Sequence, residues 1–333
     1  MVSCAASEIM KMDLQAIQAP IEKELKEFEI YFREAMKSQV SLLDRITYYI
    51  VKRKGKQIRP MFVFFSAQLV DAIKPATYTA AALVEIIHTA TLVHDDIVDE
   101  SMQRRGFFSI NALWKNKIAV LVGDYLFAKG LDIALKENQY EILSILNSAI
   151  KELSEGELLQ IEKARKLDIT EAVYFDIIRQ KTASLIAASC AAGAASVTTD
   201  KDMIARIKQI GEWIGIAFQI KDDLFDYGDD AIGKPTGIDI KEKKMTLPLI
   251  YTLHHTDRAT KSEIINIVRN HSDDPKKVRQ VIEAVRSHGG LDYGTKVMKE
   301  YALKADQELQ LFPDSVARES LRALIDFTVS RKS

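Results

Sequence analysis

Helix breakers are too rare in this chain to interrupt it often. Across 333 residues there are 14 glycines and 7 prolines, and the apolar residues between them recur nearly everywhere at helical spacing. A helix interior tolerates Gly at a cost of about 1 kcal/mol and Pro at about 3 kcal/mol, so a chain this poor in both favours long helices over sheets. The periodicity predicts helices over residues 9–36, 41–53, 60–72, 77–100, 111–136, 139–164, 170–196, 202–228, 243–256, 260–271, 275–288, 291–311 and 315–330. Punctuation falls between them at "KGKQIRP" (54–60), "IKPAT" (73–77), "RRGFFS" (104–109), "GDDAIGKPTGIDI" (228–240) and "HSDDP" (271–275). No stretch alternates with period two for long enough to make a strand. No linker, low-complexity segment or fixed-period repeat divides the chain. Residues 1–333 therefore read as one all-α domain, loose over residues 1–10, with a core of nearly all-apolar central helices.

Bulk properties exclude several classes. Net charge is −1, which gives no overall attraction for nucleic acid or an anionic membrane, so any polyanion must be held by local basic residues. Cys4 and Cys190 are the only cysteines, too few for a disulfide framework or a cysteine metal cluster, and a reducing cytoplasm suits them. The start "MVSCAASEIMKMDL" has no apolar core behind a basic end and is not a signal peptide. No uncharged apolar run reaches the roughly 18–20 residues of a transmembrane segment. The most apolar stretch, "SLIAASCAAGAASV" (184–197), is rich in Ala and Ser and reads as a tightly packed internal helix.

The chemistry is carried by aspartates. In "HTATLVHDDIVDESMQRRG" (88–106), Asp95 and Asp99 lie about 40° apart on one helix face, Asp96 flanks them, and His88 sits two turns earlier on nearly the same stripe. In "FQIKDDLFDYGDD" (218–230), Gln219, Asp222, Asp223 and Asp226 share one face in the same way. A single acidic cluster is most often a solvated helix end. Two copies of the DDxxD spacing, each closing an otherwise apolar helix, fit poorly with that. Carboxylates this close resist ionising together unless a cation sits between them. Hard oxygen donors without Cys suit Mg²⁺, which takes a few carboxylates, several waters and substrate phosphates.

Basic residues supply the other half. Lys56 and Arg59 head the helix after "GKQIRP", which lacks the glycine spacing of a Walker loop. Arg104 and Arg105 follow the first cluster, Lys181 and Thr182 lie in "QKTA", and Lys234 and Lys244 follow the second cluster. Each alone reads as a solvated charge. Together they place cations near the carboxylates and at helix ends, where phosphate binds readily. The pattern implies two anionic substrates, one metal-bound and one held by Lys and Arg.

"GKQIRP", "HTATLVHDDIVDESMQRRG", "GDYLFAKGL", "RQKTASL", "FQIKDDLFDYGDD", "GKPTGIDI" and "KKMTLPLI" occur in the order found in trans-isoprenyl (polyprenyl) diphosphate synthases. The chain resembles that family over roughly residues 40–330. The resemblance implies an isoprenoid synthase fold: a single-domain bundle of about a dozen helices around a central cavity, assembled as a homodimer. It implies head-to-tail condensation of an allylic diphosphate with isopentenyl diphosphate, with three Mg²⁺ per active site when substrate is bound. Asp95, Asp99 and Asp222 would be the main metal ligands, supported by Asp96, Asp223 and Asp226. Arg104, Lys181, Thr182, Gln219, Lys234 and Lys244 would contact the allylic diphosphate, and Lys56, Arg59, His88 and Arg105 the isopentenyl diphosphate. Among these, Asp95, Asp96, Asp99, Lys181 and Asp222 would carry catalysis.

Product length is a matter of tunnel depth. The family stops the product at fifteen carbons with bulky aromatics one turn before the first cluster. Ala90 and Thr91 stand there in this chain, which places the floor deeper, near Ile87 or Val84 or on a facing helix. The expectation is a long-chain product of octaprenyl class, with a geranylgeranyl or farnesyl diphosphate synthase as the shorter alternative. Three rivals remain. A non-catalytic regulatory subunit of a heteromeric synthase would lose one aspartate cluster. A terpene cyclase would mix Asn, Ser and Glu into the second one. A metal-dependent phosphohydrolase would use the His-Asp pair in "VHDD" but leaves the second cluster unexplained.

Overall fold

The computed structural model describes residues 14–52, 55–104, 107–164, 167, 169–228 and 236–330. The expected loose N-terminus, Arg105 and Lys234 lie outside the described residues, as does the side chain of Arg104. Helices α1 (Leu14–Gln18) and α2 (Glu22–Ala35) are separated by a tight 3₁₀ turn at Ala19–Ile21, where Pro20 breaks the run that the periodicity joins into 9–36. Helices α3 (Ser41–Lys52), α4 (Ile58–Val70) and α5 (Pro75–Val98) follow. Two two-residue strands, β1 (Gln103–Arg104) and β2 (Phe107–Phe108), pair antiparallel just past α5, too short to leave an alternating signature in the sequence.

Then come α6 (Ile110–Lys136), interrupted at Lys115 by a positive φ of 73°, and α7 (Tyr140–Ala164). Residues 170–196, which read as one helix, are three pieces: α8 (Glu171–Ile178), a π-helical turn at Arg179–Ala183, and α9 (Ser184–Ala195). Glycines on both sides leave room for it. A Cβ on Gly156 of α7 would lie 2.7 Å from the Cβ of Gln180 and 2.8 Å from the Lys181 nitrogen. One on Gly215 of the next helix would lie 2.5 Å from the Cα of Ala183. Neighbouring backbones thus press on the turn directly, and the Ser184 hydroxyl donates to the Gln180 carbonyl at 2.6 Å, one of the carbonyls such a turn loosens.

Helix α10 (Lys201–Phe225) starts on Asp200, whose side chain accepts from the backbone N–H of Asp202 and Met203. A short α11 (Ile238–Lys241) appears inside a segment that reads as punctuation. Helices α12 (Leu247–His255), α13 (Arg258–Asn270), α14 (Pro275–Ser287), α15 (Gly290–Leu309) and α16 (Val316–Ser330) complete the chain. Pro248 delays the start of α12 past the expected residue 243.

Helix α9 is the hub. All but its last residue are buried, and it packs against α4, α5, α7 and α10. Its Ala, Ser and Gly side chains permit that closeness: a Cβ on Gly193 would lie 2.2 Å from the Val63 carbonyl of α4. Helix α5 is long and apolar enough to cross a membrane, but 72% of its most apolar stretch is buried inside the bundle. It serves here as a core helix packed against α6. The architecture is all-α, with α5 and α10 both running through the core and ending in aspartates.

Candidate active site

Asp95 and Asp96 sit in the last turn of α5 and Asp99 is its C-cap; Asp222 and Asp223 sit in the last turn of α10 and Asp226 is its C-cap. A helix C-terminus carries the negative end of the macrodipole. Both clusters therefore add negative charge where the backbone already supplies it, an arrangement that holds only against nearby cations.

The second cluster divides its labour. Asp223 is buried and both its oxygens are engaged: the Tyr174 hydroxyl donates to Oδ2 at 2.7 Å and Gln219 Nε2 donates to Oδ1 at 2.8 Å. The Asp226 carboxylate accepts the backbone N–H groups of Ile238 at 2.8 Å and Asp239 at 3.1 Å, which fixes the start of α11. Asp222 is half-buried beside them. Burial, compounded by the Asp239 carboxylate, pushes Asp223 up to about 8 and Asp226 up to about 6. Asp239 is itself raised, again first by burial.

Cations answer from two sides. Lys244 Nζ lies 3.7 Å from Asp239 Oδ1 and pairs with Glu242. Burial works to lower its pKa, yet the hydrogen bond to Glu242 and the fields of Asp239 and Asp99 hold it above the ordinary value. Lys244 thus feels both clusters at once. In the π turn, Lys181 Nζ is 2.5 Å from Glu157 Oε2 and 3.4 Å from Gln160 Oε1, both on α7. Thr182 Oγ1 donates to Gln219 Oε1 at 2.7 Å. Lys181, Thr182, Gln219, Asp223, Asp239 and Lys244 line one cavity of about 210 Å³, whose remaining wall includes Ile169, Ile177, Ile178 and Met245.

A second cavity of about 330 Å³ lies against α5, lined by His88 and Asp96 and by aromatic side chains of α2, α3 and the β1–β2 hairpin. Gly55 and Gln57, on either side of Lys56, also line it. The Lys56 amine itself lies 5.8 Å from the Phe327 ring centroid of α16, and Arg59 is half-buried in the first turn of α4. Ala90 and Thr91 are buried in the core and line neither cavity. His94 turns to α6: its ring sits against Gly123, with Nε2 3.2 Å from the Val120 carbonyl and 3.6 Å from Asp124. That packing gives "VHDD" a structural account of its histidine.

The donor set fits a hard divalent ion. Among the described residues no three carboxylate, His or Cys groups converge closely enough to cage an ion alone. An ion completed by waters and substrate phosphates needs no such cage, and buried aspartates raised this far are relieved by a cation. Sequence reasoning passed over Asp239, although "GKPTGIDI" contains it, and missed Tyr174 and Glu157. Tyr174 had one signal: it stands seven residues before Lys181, two helical turns away.

Comparison with known proteins bears on the whole chain. The Polyprenyl synthetase family model matches residues 40–285. Octaprenyl diphosphate synthase of Escherichia coli (strain K12) is 35% identical over 324 residues, covering 96% of this chain and 99% of that one. The crystal structure of a decaprenyl diphosphate synthase from Rhodobacter capsulatus superposes with a TM-score of 0.90 at 34% identity, covering 96% and 99% of the two chains. Geranylgeranyl pyrophosphate synthase from Bacteroides thetaiotaomicron superposes with a TM-score of 0.82 at 39% identity, covering 96% and 100%.

Proposed function

The chain belongs to the polyprenyl synthetase family and is a prenyltransferase, and from that premise we propose that it condenses an allylic diphosphate head-to-tail with isopentenyl diphosphate in these two cavities. The observation that carries this reading is the 210 Å³ cavity, where Lys181, Thr182, Gln219 and Lys244 face a buried group of aspartates. The allylic diphosphate binds there, with Arg104 and Lys234 as further contacts. Isopentenyl diphosphate enters on the His88 side, held by Lys56, Arg59 and Arg105.

Asp95, Asp99 and Asp222 would hold Mg²⁺, three ions per site with substrate bound, with Asp96, Asp223 and Asp226 in support. The metal supplies Lewis-acid neutralisation of the leaving diphosphate. Breaking the allylic carbon–oxygen bond separates a carbocation from a diphosphate anion. Lys181 and Lys244 stabilise that anion as its charge grows, an effect strengthened where water is excluded. His88 and the basic head of α4 orient the second double bond for attack. The departed diphosphate accepts the final proton, so no nucleophilic triad is required.

The product we assign is long, of octaprenyl class, and the long-chain relatives above support this. So do the small side chains at Ala90 and Thr91. Gly130 of α6 faces Leu83, Ile86 and Ile87 with only ordinary contact distances of 3.8–4.0 Å at its Cβ position, leaving the deeper wall thin. A geranylgeranyl product is the second reading, favoured by the Bacteroides relative. The chain acts as a homodimer, since α6 and α7 expose Leu121, Leu131, Leu135 and Leu158, large apolar side chains of a kind that interfaces cover. The test is product analysis: purified protein, Mg²⁺, farnesyl diphosphate and excess labelled isopentenyl diphosphate, resolved by chain length. A ladder ending at forty carbons is expected. Termination at twenty overturns the long product, and no condensation with any primer from folded protein overturns the enzyme reading.

A further inference from the structure

We propose that Tyr174 is a positioning residue for the allylic half of the site, acting through Asp223 and Gln219 to set the orientation of Thr182. The inference rests on the reading that Thr182 and Gln219 face the allylic diphosphate.

Four side chains form one hydrogen-bonded line across α8, the π turn and α10. The Tyr174 hydroxyl donates to Asp223 Oδ2 at 2.7 Å, Gln219 Nε2 donates to Asp223 Oδ1 at 2.8 Å, and Thr182 Oγ1 donates to Gln219 Oε1 at 2.7 Å. Tyr174 is 4% exposed and Asp223 is 5% exposed, so water does not readily replace either partner. The line has one polarity. Asp223 accepts at both of its oxygens in this arrangement, so it is the amide nitrogen of Gln219 that faces it. The amide oxygen then points at Thr182, which must give its proton to it. Each choice is forced by the one before, starting from the group that holds Asp223.

Tyr174 is that group. Its hydroxyl occupies Oδ2, which leaves Oδ1 for Gln219. Without it, a buried acceptor oxygen lacks its donor, and the carboxylate gains by rotating to recapture one. Gln219 Nε2 is the nearest candidate, and following it turns the amide away from Thr182. Tyr174 lines the same cavity, but its hydroxyl is taken up by Asp223, so the orientation of Gln219 and Thr182 depends on a group that acts through its neighbours. None of the four side chains lines the His88 cavity.

Tyr174→Phe removes the hydroxyl and keeps the ring, including its edge-on packing against Phe175 at 5.4 Å between centroids. Steady-state kinetics with farnesyl and isopentenyl diphosphates, beside a thermal melt, read the effect. The KM for farnesyl diphosphate is expected to rise about five- to tenfold, the size of one lost hydrogen bond, with that for isopentenyl diphosphate unchanged. Thr182→Val is made in parallel, and the double variant is expected to be little worse than Thr182→Val alone, because both break the same line.

Native values of both KM in Tyr174→Phe, with only a lowered melting temperature, overturn the proposal. So does strict additivity in the double variant. If Thr182→Val raises the allylic KM and Tyr174→Phe does not, the relay fails and the site reading stands. If Thr182→Val also leaves it unmoved, the site reading fails and the relay falls with it.

Discussion

Asp223 stores electrostatic tension that an experiment can read. Its carboxyl, at about 8 in the folded chain against 3.8 as an ordinary aspartate, is held up by burial and by Asp239 and Asp222, with Tyr174 and Gln219 pulling the other way. Asp226 follows at about 6. A raised acid favours folding while protonated, so this contribution is full below about pH 4 and is lost as pH rises through 8. Melting temperature of metal-free protein should fall between pH 5 and 8.5, and added Mg²⁺ should flatten the decline; a flat metal-free profile contradicts the raised values. Asp222→Ala should cut kcat by about a thousandfold, the scale of losing one preorganised transition-state contact, with little change in melting temperature. Steady-state rates and a melt together decide it. The six aspartates were legible in the sequence because their spacing repeats on two helices. Tyr174 and Glu157 were not: each acts on a residue of another helix, and which helices meet is not written in local spacing.

The π turn is the element on which the 210 Å³ cavity depends. Lys181 and Thr182 project from it, and Gly156 and Gly215 press on it from opposite sides. Gly156→Ala would put a methyl 2.8 Å from the Lys181 nitrogen, a backbone atom that cannot rotate aside. The variant should melt lower by the one to three kcal/mol typical of overpacking, about 1–4 °C in a domain of this size. It should also raise the allylic KM; a native KM at reduced stability would show that the turn tolerates displacement. Sequence periodicity joined α8, the turn and α9 into one helix because an inserted residue barely alters the hydrophobic pattern over a segment so uniformly apolar. The short α11 was hidden for a different reason. Its start is organised by the Asp226 carboxylate and not by a cap within its own segment.

At the scale of the whole molecule, the all-α architecture was legible because glycine and proline are scarce, whereas the presence of two separate cavities was not. Ala90 and Thr91 are closed off in the core, so on the proposed reading a lengthening product has to open its own path past them. Ala90→Phe should therefore shorten the product to fifteen or twenty carbons, read by mass, with the first condensation retained; an unchanged product would place the path elsewhere. The two acidic ends carry a last consequence. Helices α5 and α10 both aim the negative pole of their backbone at aspartates, so the bare fold concentrates like charge at these two helix ends, which form the mouth of the proposed site. Whatever neutralises that mouth is repaid in fold stability, by about 1.4 kcal/mol for each tenfold excess of ligand over its dissociation constant. Occupancy and sturdiness become one variable: the enzyme hardens as it fills and slackens as it empties, and release of the charged product returns the molecule to its less comfortable form, primed to bind again.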